Sequence, residues 1–166
     1  MEESWASSSA TRRTMQGNRS RDTKAELAVR RIVHARGLRY RVNARPEAGI
    51  RRTADLLFTR ARVAVFIDGC FWHGCPTHFT MPATNTDFWS AKINGNRRRD
   101  AQTTAALEDQ GWIVLRFWEH ERPLSVASRI IEVVREGHYP QRVADWPPKC
   151  TPWTGQAAAH RRSAMA

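Results

Sequence analysis

The sequence predicts an α/β fold, a single domain with a central mixed β-sheet flanked by helices. Length is the first ground, because 166 residues and 19.0 kDa suffice for one domain with a real core and fall short of two. The second is that apolar segments of strand length alternate with helical patterns in the order αβββαβα. The third is the run 68–78, which sets two thiols, two imidazoles, a carboxylate and two large aromatics directly behind an apolar strand pattern. Such a density of ligand-type side chains fits a loop braced by a structural zinc.

Residues 1–17 are rich in Ser, Thr, Arg and Gly without apolar periodicity and read as a basic, flexible arm ahead of a domain spanning 18–145. Thr23 followed three residues later by Glu26 is a capping-box pattern, Leu27, Ile32 and Val33 share one side, and Gly37 closes the first helix. Leu38, Tyr40 and Val42 alternate with Arg39 and Arg41, which predicts a half-buried strand with a basic outer face. Residues 43–53, with Pro46 and Gly49, form a loop. The runs 54–58 and 63–67, joined by a short basic connection, suit a hairpin, and antiparallel pairing brings Asp55 and Asp68 to the same end. Thr86 or Asp87 caps a helical stretch towards Gln110 that Asn94-Gly95-Asn96 is expected to break in two. Gly111 ends it, 112–118 is a buried strand with Trp112 and Trp118 in the core, and 125–135 is the last helix. From 146 to 166 the Pro-rich and then Ala-rich tail carries no folding pattern. There is no internal repeat.

The formal charge is +11, and only Lys24, Lys92 and Lys149 are lysines, so arginine carries the excess. Its planar fork grips phosphate bidentately, which points to nucleic acid as the partner. Cys70, Cys75 and Cys150 are an odd set, and neither an apolar leader nor a long hydrophobic run is present. Disulfide scaffolding, secretion and membrane spanning are disfavoured, and a cytoplasmic protein with metal-bound thiolates is expected.

Cys70, Cys75 and His78 put three zinc-competent side chains in one tight loop, and His120, just past the 112–118 strand, is the candidate fourth corner. Asp55 and Asp68 are the natural hard-metal pair, able to hold magnesium where it polarises a phosphoryl oxygen and acidifies water. His73 is placed to accept the proton of that water, or else stacks or supports the loop. Glu26 is a capping partner of Thr23 or an acid orienting His73. Phe71 and Trp72, between metal ligands, are candidate wedges or stacking platforms for bases, and Trp89, near a helix start, is either a third or a core residue, the core being the stronger expectation for Phe88.

In order along the chain, Thr11-Arg12 to Met15, Arg21-Asp22-Thr23 with Glu26, Asp55, the Asp68 to Cys75 cluster, Met81 to Thr86 with Phe88-Trp89, Asn96 with Arg99-Asp100, and Gly111-Trp112 to Trp118-Glu119 resemble the very short patch repair endonucleases, the Vsr family. The resemblance covers about residues 11–136. It implies a restriction-endonuclease-like fold and a bacterial DNA-repair enzyme, acting as a monomer, that nicks one strand 5′ to the thymine of a T:G mismatch left by 5-methylcytosine deamination. It further implies Asp55 and the main-chain carbonyl of Ile67 as magnesium ligands, with Asp68 either binding the ion or standing where some members carry a phosphate-side histidine. His73 matches the catalytic histidine and Glu26 its supporting acid. Cys70, Cys75, His78 and His120 match the structural zinc site, His120 taking the place of a cysteine. Phe71, Trp72 and Trp89 match the major-groove wedge and Met15 the minor-groove one, and Arg12, Arg13, Arg19 and Arg21 are expected on the DNA backbone. Implied partners are mismatched duplex DNA, a linked DNA cytosine methyltransferase and mismatch-repair proteins. Two other classes fit the same residues: a non-catalytic zinc-containing DNA-binding module, and a restriction-type endonuclease cutting matched sites.

Overall fold

A computed structural model describes residues 21–136, so Arg12, Arg13, Met15, Arg19, Cys150 and the tail lie outside the described residues. The elements follow in the expected order: α1 (Lys24–Ala35), β1 (Arg41–Ala44), β2 (Ala54–Phe58), β3 (Val63–Asp68), α2 (Thr86–Glu108), β4 (Ile113–Trp118) and α3 (Pro123–Glu136). The sheet order is β1-β2-β3-β4, with β1/β2 and β2/β3 antiparallel and β3/β4 parallel. A parallel pair cannot be closed by a hairpin, and α2 supplies the crossover. None of the described helices is long and apolar enough to cross a membrane.

Alternation along β3 splits the domain into two layers. Val63 and Val65 join Leu56, Phe58 and Phe117 in a cluster with Val29 and Val33 of α1 and Val126, Ile130 and Val133 of α3. Ala64 and Phe66 turn the other way, into a smaller cluster with Leu57, Val114, Trp112 and Leu107 of α2. Leu56, Val33, Val63, Val65 and Ile130 are wholly buried, and at roughly 1.5–3 kcal/mol per side chain the first layer is the main source of stability.

Several expectations change. The break at Asn94-Gly95-Asn96 does not occur, for α2 runs unbroken through 23 residues. Its inward stripe is apolar at Trp89 and Ile93 and again at Leu107, but polar between, where Asn96 and Arg97 bond the loop ahead of the helix. Those tertiary bonds outweigh the propensity cost of Gly95, about 1 kcal/mol. β1 starts at Arg41, three residues later than the alternation at Leu38 suggests, because Leu38 and Tyr40 pack on the core while Val42 is 44% exposed. Asn43 and Ala44, read as loop, belong to the strand, with Asn43 left-handed at φ 47°. Trp118 is only half-buried, and Phe88 is exposed at 40% while its neighbour Trp89 is buried at 5%.

Candidate active site

The β2–β3 ladder ends at the Leu56↔Val65 pair, and beyond it the Asp55 carboxylate accepts the Ile67 N–H at 2.7 Å. The Asp68 carbonyl is spent on the Glu119 N–H, facing β4, so Ile67, one residue earlier, turns both its N–H and its C=O towards β2 and Asp55. Burial pushes the Asp55 carboxyl up to about 7, with Glu26 and Asp68 adding to the rise and the Ile67 N–H and Arg30 opposing it. An acid this reluctant to ionise alone is one that a divalent cation would stabilise.

Beside it, His73 and Arg116 share two carboxylates. The His73 Nδ1–H donates to Asp100 Oδ2 at 2.5 Å, and Asp68 Oδ1 lies 3.7 Å from the same nitrogen. Arg116 forks onto Asp68, Nε to Oδ2 at 2.8 Å and Nη2 to Oδ1 at 2.6 Å, and its Nη2 also lies 3.1 Å from Asp100 Oδ1. Burial alone would pull the His73 pKa down, but the Asp100 hydrogen bond and the charges of Asp68 and Asp100 together carry it above the usual imidazole value. Burial would raise Asp100, yet His73 and Arg116 hold it below the usual carboxylate range. With Nδ1 committed to Asp100, Nε2 is left to exchange protons.

The loop carrying His73 is fixed by α2. Asn96 Nδ2 donates to the Trp72 carbonyl at 2.7 Å, Arg97 Nε to that of His73 at 3.1 Å, and Arg97 Nη2 to that of Gly74. Gly74 has φ +63°, and a Cβ there would meet Arg97 Nη2 at 2.6 Å and Ile93 Cγ2 at 2.8 Å, so the close approach requires glycine. Phe71 and Trp72 meet edge to face at 5.2 Å over the buried Trp89, 5.1 Å from Phe71 and 6.2 Å from Trp72, with Phe88 beyond at 5.3 Å. Phe71 and Trp72 are half-buried.

At the loop's other side, one ligand atom from each of Cys70, Cys75, His78 and His120 lies within 4.8 Å of the others. Cys70 Sγ is 3.1 Å from His120 Nδ1, and Cys75 Sγ is 3.7 Å from both His78 Nδ1 and His120 Nδ1. The edges of a zinc tetrahedron with these donors are ~3.3–3.8 Å, the spacing of Cys75 Sγ from both histidine nitrogens, so the four residues are a candidate set for a single ion. Burial and the neighbouring Cys75 push the Cys70 thiol up to about 12, which means that a cation binding here displaces protons.

Comparison with known proteins decides what this site belongs to. The family described as DNA mismatch endonuclease Vsr matches residues 6–78. The type II nicking enzyme V.NaeI of Lentzea aerocolonigenes is 42% identical over 124 residues, covering 74% of this chain and 75% of its own. The type II nicking enzyme V.NmeDIP of Neisseria meningitidis serogroup C is 39% identical over 75% of this chain and 86% of its own. The DNA mismatch endonuclease Vsr of Escherichia coli (strain K12) is 32% identical over 82% of this chain and 83% of its own. The chain belongs to the Vsr family of endonucleases.

For this Vsr-family chain the structure unites Asp55 with Ile67, His73 with Asp68, Phe71 with Trp72 and Trp89, and the four sulfur and nitrogen ligands with one another. His73 turns away from the thiols, as its place beside Trp72 suggests. Glu26 keeps one of its two expected roles. Glu26 does not reach His73: its Oε1 accepts from Thr23 Oγ1 and its Oε2 from the Asp22 N–H and from Arg30 Nη2 at 2.6 Å, so it caps α1, and Asp100 holds the histidine instead. Asp68 is gripped through both oxygens by Arg116 and also lies with His73 and Asp100 in a second group whose ligand atoms could hold a metal ion, while Asp55 has no arginine fork. Arg21, the one described member of the expected backbone set, is exposed and lies 3.7 Å from Asp22. Sequence reasoning missed Arg116 as a site residue and gave Asp100 no role. Arg116 was legible as a charge inside an apolar strand pattern, and Asp100 as an acid following three arginines on a helix.

Proposed function

We propose that the protein is a mismatch nickase: it hydrolyses one phosphodiester bond of duplex DNA, 5′ to the thymine of a T:G pair. The observation that carries the reading is the Asp55 carboxylate at a strand end beside the His73–Asp100 pair, in a Vsr-family chain. The nicking relatives favour cutting of one strand, and the mismatch endonuclease relative favours a mispaired substrate. The residues present fit two different cations. Zinc suits the four-residue sulfur and nitrogen set, a closed site that would hold the loop in shape. Magnesium suits the Asp55 carboxylate and the Ile67 carbonyl, where it would polarise the phosphate and acidify the attacking water.

The chain's own residues do the rest. His73, held by Asp100, takes the water's proton at Nε2 as the water oxygen bonds to phosphorus. The P–O3′ bond breaks, the leaving oxygen is protonated from solvent, and the products carry a 5′-phosphate and a 3′-hydroxyl. Phe71 and Trp72, backed by Trp89, unstack the mismatch at a cost of roughly a few kcal/mol, smaller for a weak T:G pair than for a matched one. The exposed Arg41 of β1 and the arginines of the N-terminal arm hold the backbone.

The substrate is tested with labelled duplexes carrying T:G, other mismatches or a matched pair in varied contexts. A nick 5′ to the mismatched thymine alone is the expected result. Cleavage of the matched duplex would make the protein a restriction-type enzyme, and tight binding without cutting a recognition module. Elemental analysis should find one zinc per chain in the wild type and less in Cys70→Ser, whose loss of the ion lowers stability by about 4 kcal/mol if the site works at a thousand times its dissociation constant.

A further inference from the structure

Arg116 is an unusual residue for its position. It occupies the same face of β4 as Val114, which packs in the apolar α2 layer, and its guanidinium lies over the Phe66 ring at 4.9 Å. A valine-like side chain would fit the pattern of that strand. Burying a guanidinium between Asp68 and Asp100 instead is no gain in stability by itself, because the desolvation of three charges offsets their attraction. A charged cluster kept where an apolar residue would serve is a mark of function.

The geometry says which function. Asp68 and Asp100 grip Arg116 by Nε and Nη2, and the same two carboxylates flank His73, at 3.7 Å and 2.5 Å from Nδ1. A guanidinium has five N–H donors; these contacts use three and leave the Nη1 pair. The side chain is 18% exposed, so it borders the surface beside the histidine. Imidazole and guanidinium are thus set side by side by shared anchors, held through His73 Nδ1 and through Arg116 Nε and Nη2, with His73 Nε2 and the Arg116 Nη1 pair outside those contacts.

We propose that Arg116 is a catalytic residue of the nicking reaction: its Nη1 donates to a non-bridging oxygen of the scissile phosphate and stabilises the charge that builds there during attack, while Asp68 is its positioning residue. The inference rests on the nickase reading. Such a donor, fixed in direction before the substrate arrives, acts mainly on the transition state. Asp68 then serves as the clamp that aims the fork.

The test is single-turnover nicking of a T:G duplex carrying a phosphate, or the Rp or Sp phosphorothioate, at the scissile position, by wild type, Arg116→Met, Arg116→Lys and Asp68→Asn. Arg116→Met should slow the phosphate substrate by about 10²–10³-fold, the scale for loss of one oriented donor. Mismatch binding should stay within a few-fold. The wild type should discriminate against one diastereomer in particular, and Arg116→Met should lose that discrimination. Arg116→Lys keeps the charge and shields against a folding failure; it should cut at an intermediate rate. Asp68→Asn should slow cutting while keeping the stereochemical preference. Wild-type nicking with an unchanged rate, or an unchanged pair of sulfur effects, in Arg116→Met and Arg116→Lys would overturn the inference alone. A wild type that leaves every duplex intact would overturn the nickase reading and this inference with it.

Discussion

On the α1/α3 face of the sheet, Leu56, Val65 and Ile130 pack into one hydrocarbon cluster with the helices above them, whereas on the α2 face the apolar cluster stops at Phe66 and gives way to Asp68, Asp100, Arg116 and His73. The two faces share the same strands. They differ in what their helices bring: α1 and α3 are amphipathic along their length, while α2 presents a polar middle third. The first layer supplies stability in excess of what the second consumes by holding charges out of water, and the second stores an arrangement that is costly until substrate and cations meet it.

That division can be broken residue by residue. His73→Ala should lower the nicking rate by about 10²–10⁴-fold, the range for loss of a general base, with thermal stability and mismatch affinity little changed. A parallel loss of folding would put the histidine in the structural layer. On the opposite face, Ile130→Ala should cost about 2–5 kcal/mol in denaturant unfolding while each folded molecule cuts normally, and a fall in the single-turnover rate of the folded fraction would show that the two layers are coupled. Asp100→Asn should reduce nicking by about 10–100-fold, as loss of an orienting partner does. Because Asp100 is among the groups that lift the His73 pKa, the acid limb of the pH–rate profile should move to lower pH in that variant. An unmoved limb would mean that some other group titrates.

The smallest effect has the opposite sign. Asp55 has its pKa raised to about 7 by burial, so without a divalent ion the folded state favours the protonated acid and loses stability as pH rises through 7. Asp55→Asn should therefore stabilise the chelated protein by roughly 1–3 kcal/mol above pH 7, the gain shrinking as pH falls towards 4. A destabilised variant at pH 8 in chelator would place Asp55 among the groups that hold the fold together.

Much of this was legible in the sequence because local rules carry it. The Thr23–Glu26 cap, the hairpin bringing Asp55 to the Ile67 end, and the close spacing of Cys70, Cys75 and His78 are short-range signals, and His120 followed from where the 112–118 strand must end. The unbroken α2 was not legible, because Asn94-Gly95-Asn96 looks like a break to any rule that ignores the loop carbonyls 24 residues away that Asn96 and Arg97 bind. Glu26 was left with two readings for a related reason: one carboxylate fitted two roles, and the buried Arg30 four residues on, 2.6 Å away, goes with the capping one. The partnership of Asp68 with Arg116 joins residues 48 apart, and periodicity holds no record of such a pair.

The most direct measurement is single-turnover cutting of an end-labelled T:G duplex by wild type and Asp55→Asn across a magnesium titration, with both product ends mapped. A nick that appears with magnesium, leaves a 5′-phosphate at the thymine and vanishes in Asp55→Asn is the predicted result. Equal cutting in chelator, or by Asp55→Asn, would contradict the assignment of this strand end as the hydrolytic centre.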